Sequence, residues 1–164
     1  MTSKASEHPT TLTTPSDREL VITRVFDAPR SLVFEAWTKP EHVRQWYGLR
    51  SLTTSVCEID FRPGGAWRWG QTGPDGNAVV FSGEYKEIVP PERIVYTEIF
   101  EQMPGPAVLT TLTFEEKDGR TTLTSTSVWP SAEVLAGAIA MGMGMEAGVV
   151  ETYERLDEHL RAMA

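Results

Sequence analysis

The chain has 164 residues, 40% of them apolar and 23% charged, the make-up of one ordinary globular domain. Fifteen basic against 23 acidic residues give a formal charge of −8, with no Lys/Arg cluster to offer nucleic acid a basic face. No apolar run approaches the ~20 residues that cross a bilayer, since the weakly polar stretch 134–150 is broken by Gly137, Gly142, Gly144, Gly148 and Glu146.

Residues 1–18 are rich in Ser, Thr and Pro and offer little apolar surface beyond Ala5 and Leu12. Such a segment does not repay its ordering entropy, so a flexible tail is expected, with His8 idle within it. The tail also lacks the apolar core of a secretion signal, which points to a cytoplasmic location. A single folded domain over 19–164 follows. Leu20–Phe26 is β-branched and reads as the first strand. After the Asp27–Arg30 turn, Ser31 suits an N-cap for a helix carrying Leu32, Val33, Phe34, Ala36 and Trp37. Pro40 ends that helix and opens a second, Glu41–Trp46, which Gly48 terminates.

Strands then follow in quick succession. Ser51–Phe61, Ala66–Gly70, Ala78–Val89, Arg93–Phe100, Val108–Glu116 and Thr121–Trp129 are separated by turn signals such as Arg62-Pro63-Gly64-Gly65 and Asp118-Gly119. Cys57, the only cysteine, sits in one of these runs as a small buried hydrophobe. It excludes an intrachain disulfide and a thiolate metal cage. From Ala132 to Met163 the chain reads as one helix, its apolar stripe running through Leu135, Ile139, Gly142, Met145, Val149, Tyr153, Leu156 and Leu160. The order β-αα-β6-α predicts an α+β fold. A curved antiparallel sheet of about seven strands wraps its apolar face around the long C-terminal helix.

Four stretches carry a family resemblance. ITRVFDAPRSLVFEAWTKPEHVRQWYG (Ile22–Gly48), DFRPGGAWRW (Asp60–Trp69), GEYKEIVPPERIVYT (Gly83–Thr97) and MGMEAGVVETYERLDEHL (Met143–Leu160) resemble the SRPBCC (START-like, birch-pollen-allergen-like) superfamily. Within it they are most similar to homologues of the C-terminal domain of the heat-shock-protein-90 ATPase activator. The resemblance implies the helix-grip fold and an internal cavity more firmly than any one activity. Members bind small hydrophobic molecules, cyclise polyketide-like substrates or protect against reactive metabolites. The family often has Trp where this chain has Tyr47 and Val149, substitutions that would alter cavity shape. The eukaryotic activator's additional N-terminal chaperone-binding domain has no counterpart in these residues, which makes a chaperone-associated role the third choice. Dimerisation, common among relatives, leaves a homodimer open.

Alternation along the strands places Trp67 and Trp69 on one face, joined by Phe81 and Tyr85 flanking Gly83, then Tyr96, Glu98 and Phe100, with Leu112 and Phe114 opposite Leu123. Any single one of these aromatics is compatible with plain core packing; the set argues for a pocket. The expected ligand-binding residues are Tyr47, Trp67, Trp69, Phe81, Tyr85, Glu98, Phe100 and Leu112, with Met141 and Met145 as a pliable roof. Glu98 is the sharpest candidate: a carboxylate turned inward is costly unless paired, tends towards a raised pKa, and suits a ligand anchor or general base. Pairing with Arg62 or Arg68, or an outward turn after a bulge, would make it structural. Arg62 at its hairpin tip suits either carboxylate hydrogen bonds or a pocket-mouth cation. His42 and His159 read as solvated, and His42 has no partner at metal-ligand spacing. Ser125 and Ser127 lack a nucleophile elbow, and Gly64-Gly65 opens no helix that would cradle phosphate, so neither metal nor cofactor is expected. The first reading is a small-molecule-binding protein whose ligand is apolar or aromatic. The second is a cyclase-, hydrolase- or dehydratase-like enzyme using Glu98 with Arg62 or Tyr85.

Overall fold

The computed structural model describes residues 8–140 and 147–163. Eight strands and four helices follow in the order β1 (Thr11–Ser16), β2 (Glu19–Phe26), α1 (Arg30–Thr38), α2 (Pro40–Trp46), β3 (Thr53–Ile59), β4 (Ala66–Thr72), β5 (Ala78–Val89), β6 (Arg93–Phe100), β7 (Val108–Lys117), β8 (Arg120–Val128), α3 (Ala132–Ala140) and α4 (Ala147–Met163). All neighbouring strands are antiparallel, and the sheet runs β1-β2-β8-β7-β6-β5-β4-β3. The meander from β3 to β8 therefore returns to the start of the chain, with Ile22 beside Ser125 and Phe26 beside Thr121.

The eighth strand corrects the expectation of a flexible tail at residues 11–16. Thr11, Leu12 and Thr13 pair with Thr23, Ile22 and Val21, although β1 is mostly exposed. Backbone pairing on the open edge of β2 needs no apolar content, and threonine is itself a strand former; composition alone does not register either effect. His8, expected to be idle, lies 3.1 Å from the Asp27 carboxylate.

Local signals at the helices also shift. Pro29, not Ser31, is the N-cap of α1. The Arg30 N–H there donates to the Glu116 carboxylate of β7 at 2.8 Å, so the sheet supplies the cap. The single helix expected over 132–163 is described as α3 and α4; Gly142, Gly144, Met141 and Met145 lie outside the described residues. On α4 the predicted stripe holds, with Tyr153, Leu156 and Leu160 buried, whereas Ile139 of α3 is 46% exposed. The helix gripped by the sheet is thus α4.

Phe26, Val33, Val43, Trp46, Phe114, Leu123 and Leu156 are sealed between the sheet and α1, α2 and α4. Arg24 joins them from β2 with its side chain inaccessible. Its guanidinium lies 3.2 Å from Glu154, 3.8 Å from Asp157 and 5.2 Å from the centre of the Phe26 ring. A buried cation of this kind is tolerable because α4 brings the carboxylates to it. Burial pushes the Asp157 carboxyl up, against the opposing pull of Arg161 and Arg24. His42 of α2 and His159 of α4, expected to be solvated, meet at 2.9 Å, with Glu35 3.2 Å from the other nitrogen of His42.

Candidate functional site

Side chains on a strand alternate between faces, and the inward sets of the central strands converge on one volume. Trp67, Trp69 and Gln71 come from β4, Phe81 and Tyr85 from β5, Ile94, Tyr96, Glu98 and Phe100 from β6, Thr110 and Leu112 from β7, and Ser125 and Ser127 from β8. Trp37, Trp46, the 47–49 segment and Val149, Thr152 and Tyr153 of α4 face them across a cavity of about 510 Å³. That volume lies within the range of small-molecule sites.

Two glycines shape the wall. A Cβ at Gly83 would collide with the Thr97 carbonyl; without one, the Trp67 indole reaches over β5 and donates to that carbonyl at 3.1 Å. Gly48 has φ +79°, in the left-handed region that suits glycine, and a Cβ there would collide with the Gln71 amide. That amide stitches the 47–49 segment to β4. Its nitrogen donates to the carbonyls of Tyr47 and Leu49, and its oxygen accepts from the Leu49 N–H at 3.0 Å. Arg155 of α4 holds the same segment from the other side, donating to the Tyr47 and Gly48 carbonyls at 2.8 and 3.1 Å.

The rings form a connected set, with Trp69 at its centre: Tyr47 lies 5.3 Å away, Trp67 5.5 Å, and Trp37 and Trp46 each 6.1 Å, centre to centre. Their polar edges differ. The indole N–H groups of Trp46, Trp67 and Trp129 donate to Ala36 O, Thr97 O and the Ser127 hydroxyl. Those of Trp37 and Trp69 are buried without a partner. Buried donors are almost always satisfied, which makes these two indoles exceptions; their rings line the cavity although neither N–H reaches its surface.

Glu98 is the one charged side chain lining the cavity among the described residues. It is half-buried in that wall, and burial alone pushes its carboxyl up to about 7. The structural pairings considered for it do not form. Arg68 is held by both oxygens of Glu101 at 2.8 and 2.9 Å, and Arg62 by Asp60 at 2.9 and 3.1 Å, away from the cavity. Burial raises the phenols of Tyr47 and Tyr96 above the ordinary tyrosine range, and the nearby Glu98 charge adds to both shifts. Tyr85 and Tyr153 are raised by burial as well, so all four phenols stay protonated as potential donors.

Of the residues singled out in the sequence, Tyr47, Trp67, Trp69, Phe81, Tyr85, Glu98, Phe100 and Leu112 line the cavity; Met141 and Met145 lie outside the described residues. Trp37, Trp46, Gln71 and Tyr153 line it as well, outside the set singled out above. Gln71 was legible as the third inward position after Trp67 and Trp69, but the two helix tryptophans look like any buried stripe. Cys57 is buried, its thiol pushed up chiefly by burial, and is chemically quiet. Among the described residues no group of three His, Cys, Asp or Glu could hold a metal, and no helix is long and apolar enough to cross a membrane.

The family model described as Activator of Hsp90 ATPase homolog 1-like protein matches residues 27–161. Among solved structures, a Rhodobacter sphaeroides protein is 26% identical with a TM-score of 0.85, covering 93% of this chain and 99% of its own. Protein Ms6760 from Mycobacterium smegmatis is 28% identical with a TM-score of 0.82 (95% and 100% covered). A Staphylococcus epidermidis protein solved by NMR is 29% identical with a TM-score of 0.78 (94% and 95% covered). No curated protein matches the chain.

Proposed function

This chain belongs to the Activator of Hsp90 ATPase homolog 1-like family, and from that premise we propose that it binds one small apolar or aromatic molecule between the sheet and α4. The observation that carries this reading is the cavity of about 510 Å³, walled by aromatic and aliphatic side chains with a few convergent polar groups. The body of the ligand packs against the Trp69-centred rings. The helix-grip fold is compatible with such binding and with a polyketide-cyclase-like role.

The reading is tested by titrating the protein with 2-acetylnaphthalene, a neutral planar molecule with one carbonyl, while recording indole N–H resonances. Saturable shifts of the indole resonances of the cavity-lining tryptophans are expected, largest at Trp69, the centre of the ring set. Absence of any saturable shift contradicts the reading.

One observation favours a catalytic alternative. Glu98 carries a carboxyl pushed up to about 7 in the same cavity, where a general base poised near neutrality would abstract a proton from a bound polyketide-like substrate. Turnover with a rate profile that loses its acidic limb in Glu98→Gln would move this reading ahead of simple binding.

A further inference from the structure

Resting on the ligand-binding reading of the cavity, a second question is which charge that ligand carries. A pocket's charge preference follows from the groups that face it, and this wall is unusual in its balance. It contains one carboxylate and, among the described residues, no lysine, arginine or histidine. The two arginines that the sequence offers as partners for Glu98 are committed elsewhere, Arg68 to Glu101 and Arg62 to Asp60. The phenols of Tyr47 and Tyr96 lie close enough to feel the Glu98 charge. Both belong to the aromatic set, Tyr47 5.3 Å from Trp69 and Tyr96 5.4 Å from Trp67.

A carboxylate set among aromatic rings has the chemistry of a cation site. The ring faces present negative potential, and an ammonium group gains from them and from the counter-ion together. An anionic ligand meets the opposite: an unpaired carboxylate with no cation in the wall to offset it. We infer that the cavity selects apolar molecules bearing a protonated amine, with Glu98 as the counter-ion and the Tyr47 and Tyr96 rings beside it.

Three probes of nearly one shape separate charge from fit: 2-naphthylmethylamine, 2-naphthylmethanol and 2-naphthoic acid, measured by calorimetry at about pH 8. The amine binds at least about tenfold more tightly than the alcohol, and the acid more weakly than either. In Glu98→Gln the amine-to-alcohol affinity ratio falls to near one. A retained preference in that variant, or an acid that binds as tightly as the amine, overturns the inference. Binding of the alcohol without preference for the amine overturns the charge selection alone and leaves the apolar-ligand reading standing. Failure of all three probes to bind overturns both.

Discussion

Along the same four strands, one end of the concave face is packed solid and the other encloses the cavity. On β7 and β8 the cross-strand pairs run Phe114 with Leu123, then Leu112 with Ser125, then Thr110 with Ser127. The neighbouring positions run from Arg24 through Ile22 to Leu20 on β2, while on β6 Ile94 lies beside Leu112, Tyr96 beside Thr110 and Glu98 one row further on, beside Val108. Side-chain volume shrinks at the strand centre just where α4 passes overhead, while the large rings move out to β4, β5 and β6. Backbone pairing is unbroken along β2, β8, β7 and β6, the register shifts falling at Thr13/Ser16, Thr54/Val56 and Tyr85/Glu87 in the other pairs. The cavity is therefore made by side-chain choice within a regular sheet, and the two ends should respond oppositely to substitution.

The largest expected effect is at the packed end. Phe114→Ala should cost about 4 kcal/mol, because a sealed ring leaves a void, whereas Phe100→Ala, on the cavity wall, should cost about a quarter of that; urea denaturation measures both. Equal losses would erase the distinction between the ends. Arg24→Met should cost about 3 kcal/mol by leaving the buried Asp157 carboxylate without its β2 partner. A neutral outcome in the same assay would mean that Arg161, 2.9 Å from Asp157, suffices alone.

The next effect depends on pH. The Glu98 carboxyl stands at about 7 in the fold against an ordinary 4.5, so between these values the folded state holds a proton that the unfolded state releases. Stability attached to this group is whole below about pH 4.5 and is lost as pH rises through 7, on the order of 2 kcal/mol once cavity exposure is allowed for. Glu98→Gln should therefore raise the melting temperature at pH 8 and leave it nearly unchanged at pH 4.5; a gain equal at both pH values would refute the assignment. The smallest effect comes from filling. Ser125→Leu should change stability by less than about 1 kcal/mol, since the added methyl groups enter free volume, where a packed core would resist by 1–3 kcal/mol. A clear destabilisation would show that the row at Ser125 is already full.

Much of this contrast was legible in the chain, and its limits have physical causes. Strand alternation located Trp67, Trp69, Phe81, Tyr85, Glu98, Phe100 and Leu112 on one face, because the period of two is set by the backbone itself. The family resemblance added Tyr47, which no periodicity marks. The edge strand β1 escaped because its stability comes from main-chain bonds to β2, which leave no apolar trace in Thr11–Ser16. The sheet-borne cap of α1 by Glu116 and the His42–His159 contact escaped because each joins residues far apart in sequence, 86 and 117 positions. The freedom of Glu98 from its two candidate arginines was equally hidden, since Arg68 and Arg62 found nearer carboxylates that sequence alone did not rank.

The central claim, that the cavity receives an apolar molecule, is tested most directly by titrating N-phenyl-1-naphthylamine, a neutral probe, and following energy transfer from the cavity tryptophans. The account predicts saturable transfer at one probe per chain, abolished when the cavity is filled by Ser125→Leu with Val149→Phe. No transfer in the wild-type protein, or transfer undiminished in the filled variant, would contradict it.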